Sequence, residues 1–254
     1  MQKKVIIANW KMNPNTLREA RAIFLGIRKK VAKLKKTRVI ICPPAVYIGE
    51  LKRMQKGTKI LIGTQDCFNQ CKGAWTGALS PKMLKSVGAE FVIVGHSEKR
   101  ARGESDEIIN QKMKLALKSG LKTILCVGEK KRDEEGDYFG FLEKQLLSAL
   151  NGIGKNFSKK ILIAYEPIWA VGKKAKRVIT NKELRQVCIF IKKVLADKYG
   201  SKNFGAVEIL YGGSVDYKNA EGLMLESGID GFLVGRESLN IEKFGNLLEV
   251  VEKN

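Results

Sequence analysis

Eight short apolar runs rich in β-branched residues recur along the chain, at residues 5–8, 38–42, 59–63, 90–95, 122–127, 160–165, 207–210 and 231–234. Most are apolar at nearly every position. That pattern fits strands buried on both faces, as in a parallel sheet covered by helices. Helical segments lie between them. Residues 16–35 form a long amphipathic stretch. Ser80-Pro81 supplies an N-cap followed by proline at the first helical position. Thr180-Asn181-Lys182-Glu183 reads as a capping box. Further helices are expected from near Ser105, Tyr138, Tyr217 and Leu239, with a weaker one across 44–56. At 254 residues the chain has the length of one α/β barrel, and no Pro/Gly/Ser-rich linker divides it. The expectation is an α/β single domain over residues 1–254, a (β/α)8 barrel. An open doubly wound sheet is disfavoured by eight consecutive units and the lack of a G-x-G-x-x-G fingerprint.

Composition narrows the function. Hydrophobic residues make up 44%, enough for a sizeable core. The apolar runs fall far short of the roughly 20 residues a membrane helix needs. The run after Lys3-Lys4 is too short for a signal segment, so a cytoplasmic protein without membrane contact is expected. Cys42, Cys126 and Cys188 read as small buried hydrophobes. Cys67 and Cys71 stand four apart without a second Cys pair or His cluster, so no metal site is expected. The formal net charge is +21, from 47 Lys and Arg against 26 Asp and Glu. Residues 28–38 alone hold seven of the positive charges. Apolar Ile23, Ile27, Val31 and Leu34 recur there at helical spacing, so the plain reading is a solvated helix face. Contact with nucleic acid or another polyanion is a secondary alternative, without a zinc finger or RNP-type motif to support it.

In such a barrel the active site gathers where the strands end. Those ends carry Asn9-Trp10-Lys11, Thr64-Gln65-Asp66, His96-Ser97-Glu98, Gly128-Glu129, Glu166-Pro167, Tyr211-Gly212-Gly213-Ser214 and Gly235-Arg236. His96 is the only histidine. An imidazole and a carboxylate just beyond buried strands suit proton transfer at neutral pH. Glycine turns after the last two strands let backbone N–H groups approach an anion such as phosphate.

The stretches Ala8-Asn9-Trp10-Lys11-Met12-Asn13, Val94-Gly95-His96-Ser97-Glu98-Lys99-Arg100, Ala164-Tyr165-Glu166-Pro167-Ile168-Trp169-Ala170 and Tyr211-Gly212-Gly213-Ser214-Val215 resemble the triosephosphate isomerase family. The resemblance covers nearly the whole chain. It implies interconversion of dihydroxyacetone phosphate and D-glyceraldehyde 3-phosphate, in glycolysis and gluconeogenesis, without metal or organic cofactor. By this resemblance Glu166 is the base and His96 the neutral electrophile. Those roles are the established ones of the family, not a reading of the sequence. Lys11 supplies positive charge, Asn9 orients it, and Ser97 is a resting partner for Glu166. Gly172, Ser214, Gly235 and Arg236 bind the substrate phosphate. Segment 65–79, which opens on Gln65 and closes on Leu79, resembles the family's dimer loop, with Trp75 and Thr76 at its tip. A homodimer is implied.

Three features depart from the family. Lys173-Lys174-Ala175 follow Gly172, where Thr-Gly-Lys is usual, and Lys176-Arg177 fill the far hinge of the lid. Altered lid kinetics are expected. Gly235-Arg236 replaces a Gly-Gly pair, so the Arg either pairs with a carboxylate such as Glu237 or adds charge near the phosphate. Trp75 stands where Phe is commoner.

Overall fold

A computed structural model describes residues 4–133, 135–170, 177–200, 202 and 207–254. Eight parallel strands close on themselves in sequence order. They are β1 (Lys4–Asn9), β2 (Thr37–Cys42), β3 (Ile60–Thr64), β4 (Phe91–Val94), β5 (Lys122–Val127), β6 (Ile161–Tyr165), β7 (Ile209–Tyr211) and β8 (Gly231–Val234). Closure comes from β8 pairing with β1, Gly231 beside Val5 and Val234 beside Ala8. The expected (β/α)8 barrel is the observed architecture.

Alternation explains why the strands read as unbroken apolar runs. Val5 and Ile7 join a cluster inside the barrel with Ile40, Phe91, Ile93, Ile124, Leu162 and Leu210. Ile6 and Ala8 belong instead to the larger layer between barrel and helices, with Phe24, Ile27 and Val31. Both faces are apolar because both are buried. Burying one Ile or Leu side chain contributes about 2 kcal/mol, so the two layers dominate stability.

The helices are α1 (Leu17–Val31), α2 (Ile48–Met54), α3 (Pro81–Ser86), α4 (Ser97–Arg100), α5 (Asp106–Lys118), α6 (Asp137–Ala149), α7 (Asn181–Tyr199), α8 (Ala220–Ser227) and α9 (Ile241–Lys253). Their starts follow the capping chemistry. The Thr16 hydroxyl accepts from Glu19 N–H, that of Ser80 from Met83, and that of Ser105 from Ile108. At Thr180 the capping box is complete in both directions. α1 ends at Val31 rather than near Lys35. The Glu252 carboxylate at the end of α9 accepts from the N–H groups of Lys35, Lys36 and Thr37, and so holds a bent connection there. Among the described residues no helix is long and apolar enough to cross a membrane.

Segments that follow strands collect at one end of the barrel. Segments that lead from helices into strands collect at the other.

Candidate active site

The strand-following end opens into a cavity of about 360 Å³. Asn9, Lys11, His96, Glu166, Ser214, Gly235 and Arg236 all line it. Of the residues expected there, only Gly172 falls outside the described part, as do Lys173, Lys174, Ala175 and Lys176.

Glu166 follows β6 directly and is buried. Its Oε2 accepts from the Ser97 backbone N–H at 2.9 Å. Ser97 is thus the resting partner expected, but through its main chain. Oε1 lies 3.3 Å from His96 Nε2. His96 follows β4 and caps α4. Its Nδ1 accepts from the Glu98 N–H at 3.2 Å. A nitrogen that accepts carries no proton, so the neutral ring holds its proton on Nε2, which faces Glu166. Glycine makes this packing possible. A Cβ at Gly128 would overlap the Glu166 carbonyl oxygen, and one at Gly212 would lie 2.8 Å from Glu166 Cγ.

Lys11 follows β1 with φ at 55°, in the left-handed region. A non-glycine residue there costs about 1 kcal/mol or more. Two side chains hold it in place. Asn9 Oδ1 accepts the Lys11 N–H at 3.0 Å, and Gln65 Nε2 donates to the Lys11 carbonyl at 2.8 Å. Lys11 Nζ meets Glu98 Oε1 at 2.6 Å. Burial alone would raise the Glu98 carboxyl, but the hydrogen bond and charge of Lys11 outweigh it and hold the group below its usual range. The sequence alone assigns Glu98 no task. Its signal was position, two residues past His96 on the same rim as Lys11.

Ser214 Oγ donates to the Ala170 carbonyl at 3.2 Å, which ties the turn after β7 to the segment after β6. Arg236 lines the cavity, while Glu237 pairs with Lys243 at 3.5 Å. Among the described residues Arg236 makes no ion pair.

Glu129 likewise has no task legible in the sequence. It is buried and accepts from Tyr165 Oη at 2.8 Å and Trp169 Nε1 at 2.7 Å. Burial raises its carboxyl despite those donors. Across the undescribed stretch, the Arg177 guanidinium stacks 4.4 Å from the Trp169 ring centroid. It also forks onto Glu183 at 2.5 and 2.8 Å. That fork, chiefly its hydrogen bond, holds the Glu183 carboxyl down at about 2. A carboxyl lowered on folding contributes stability above its unfolded value, near 4.3, and loses it as pH falls through about 2. A carbon-13 titration of Glu183 should therefore show no midpoint between pH 3 and 5. In Arg177→Ala the midpoint should move up, and an unmoved one would contradict the fork.

Cys42, Cys126 and Cys188 are buried, as expected of small apolar side chains. Burial pushes the Cys188 thiol up to about 12 and Cys126 well above its ordinary value, the latter aided by the Glu166 carboxylate. Among the described residues no group of three His, Cys, Asp or Glu side chains is placed to hold a metal ion.

Comparison with known proteins places the chain. The triosephosphate isomerase family model matches residues 4–251. The triosephosphate isomerase of Dehalococcoides mccartyi strain BAV1 is 42% identical over 246 residues, 96% of this chain and 94% of that one. That of Thermoanaerobacter pseudethanolicus is 39% identical over 252 residues, 98% and 99% of the two chains. The crystal structure of the Bartonella henselae enzyme superimposes with a TM-score of 0.83 at 33% identity, over 98% of each chain. The chain belongs to the triosephosphate isomerase family.

Proposed function

We propose that Glu166, His96 and Lys11 carry the isomerisation of triose phosphate in this chain. The observation that bears most weight is the His96 ring. Its Nδ1 is occupied by a backbone donor, which leaves the proton of the neutral ring on Nε2, 3.3 Å from a Glu166 carboxylate oxygen. Glu166 removes a proton from the carbon beside the carbonyl, and the electron pair moves onto the carbonyl oxygen. His96 Nε2–H gives that oxygen a proton, forming the enediol. His96 Nε2 then recovers a proton from the other enediol hydroxyl, whose oxygen becomes the new carbonyl, as Glu166 returns its proton to the former carbonyl carbon. Lys11 offsets the negative charge on oxygen and phosphate, with Asn9 fixing its backbone. Ser214, with N–H groups of Gly172, Gly235 and Arg236, holds the phosphate. No cofactor is required, because the proton moves between adjacent carbons of one substrate. The test is a coupled assay with D-glyceraldehyde 3-phosphate, and a folded protein without turnover overturns the reading.

The working unit is a cytoplasmic single-domain protomer paired with a second copy through segment 65–79. The base of that segment is anchored, since Asp66 pairs with Lys112 at 2.6 Å and Lys99 at 2.7 Å. Its tip presents Trp75 at 54% exposure, against Phe68 with ring centroids 5.1 Å apart. Met12, at 90%, and Val46, at 80%, add apolar surface on neighbouring loops. Analytical ultracentrifugation should give twice 28.3 kDa. Trp75→Arg should raise the dimer dissociation constant by at least about 30-fold, as for a buried aromatic anchor. An unchanged constant would remove this loop from the interface.

A further inference from the structure

The excess positive charge is not spread evenly over the barrel. Segments 28–38, 52–59, 85–90, 115–122 and 155–160 lead from helices into β2, β3, β4, β5 and β6. Together they hold seventeen of the 47 Lys and Arg residues and one of the 26 Asp and Glu. The loops that follow the same five strands, at 43–47, 65–80, 95–106, 128–137 and 166–180, hold eleven basic residues against ten acidic ones. The chain's net charge therefore sits at the strand-start end, on five adjacent strands of the ring. Most of these lysines face solvent, including Lys33, Lys35, Lys36, Lys56, Lys118 and Lys159. Three acids near this face are engaged within the fold. Glu90 pairs with Lys52 at 2.8 Å, Glu208 pairs with Arg38, and Glu252 caps the connection into β2.

Substrate steering does not account for this face. The catalytic candidates lie at the other end, one strand length away. A six-residue strand spans about 20 Å. The Debye length at physiological salt is about 8 Å, so little of the field reaches the cavity. Crowding like charges also opposes the compact state unless an anion offsets them.

We infer that the strand-start end of this barrel is a docking face for the phosphate backbone of duplex nucleic acid, bound without base reading. The lysines offer point charges on flexible stems, which grip phosphates without reading bases. Single strands are favoured by exposed aromatic platforms. Here Phe157 is half-buried beneath Lys160, whose Nζ stands 5.7 Å from the ring centroid. An anionic membrane surface would be met by exposed apolar anchors beside the lysines. Val87 is the one large apolar side chain exposed in these five segments among the described residues.

The experiment is fluorescence anisotropy with a 24-base-pair duplex on two charge-matched variants. The first is Lys35→Gln, Lys36→Gln, Lys56→Gln, Lys118→Gln and Lys159→Gln. The second changes Lys130, Lys131, Lys182, Lys218 and Lys243 to Gln, all near the strand-following end. The intact protein should bind in the range of about 10⁻⁶ to 10⁻⁴ M at physiological salt, with affinity falling steeply as salt rises. The first variant should weaken binding at least about 30-fold and flatten the salt slope by about 4. The second should change affinity less than about threefold. Both should keep the isomerase rate and melting temperature, which separates this test from that of the catalytic reading. Equal losses in the two variants would mean that charge acts without a face, and would overturn the proposal. So would tighter capture by anionic phospholipid vesicles than by the duplex, or no binding by the intact protein at low salt. If the five-fold variant misfolds, Lys35→Gln/Lys36→Gln should still weaken binding about fivefold.

Discussion

Glu166→Gln should lower turnover of D-glyceraldehyde 3-phosphate by about 10⁴-fold, the upper range for a lost general base. Glutamine has the shape of glutamate but cannot take a proton from carbon. Its amide oxygen can still accept from the Ser97 N–H, which now meets Oε2 at 2.9 Å. The side chain should therefore keep its place, wedged beside Gly128 and Gly212. KM should change by less than about threefold, since the substrate's ground-state contacts are made elsewhere. The melting temperature should hold. A loss below tenfold in a coupled assay would show that another group abstracts the proton. A large rise in KM instead would recast Glu166 as a binding residue.

Gly231→Ala should destabilise the fold by about 4 kcal/mol, at the severe end for single substitutions. Gly231 opens β8 and pairs with Val5 at the seam that closes the barrel. A Cβ there would overlap the Val5 carbonyl oxygen, with the Val5 carbonyl carbon and nitrogen also in contact. These are backbone atoms, so no rotamer change relieves the clash and the seam must part. For a domain of this size the loss corresponds to a drop of roughly 8 to 16 °C in melting temperature. Gly49→Ala is the matched control. Gly49 lies in α2, where an added Cβ meets nothing within 4 Å. It should be neutral or stabilise by up to about 1 kcal/mol through helix propensity. Calorimetry that finds the two variants within 1 kcal/mol of each other would refute the close-approach argument.

The barrel was legible because two-sided burial writes itself as continuous apolar runs. All eight runs became strands, with ends moved by a few residues, most at β7, which begins at Ile209 rather than Val207. Helix starts were legible because Thr16, Ser80, Ser105 and Thr180 cap locally. The end of α1 was not, because Glu252, more than two hundred residues away in sequence, decides it. The four-residue α4 was missed for want of length, although it supplies the N–H groups that hold His96 and Glu166. Glu98 and Glu129 carry no legible task for a different reason. Their partners, Lys11, Tyr165 and Trp169, come from other strands, and no local pattern announces such a meeting.

The seam between β1 and β8 also bears on how the protein is made. β1 is complete once Asn9 has emerged from the ribosome, but its second pairing edge waits for Val234. At roughly 5 to 20 residues per second, that interval is roughly 10 to 45 s. Throughout it, an apolar strand from the start of the chain has one edge unpaired. The nascent barrel therefore passes through a long open stage in which that edge can join a neighbouring chain.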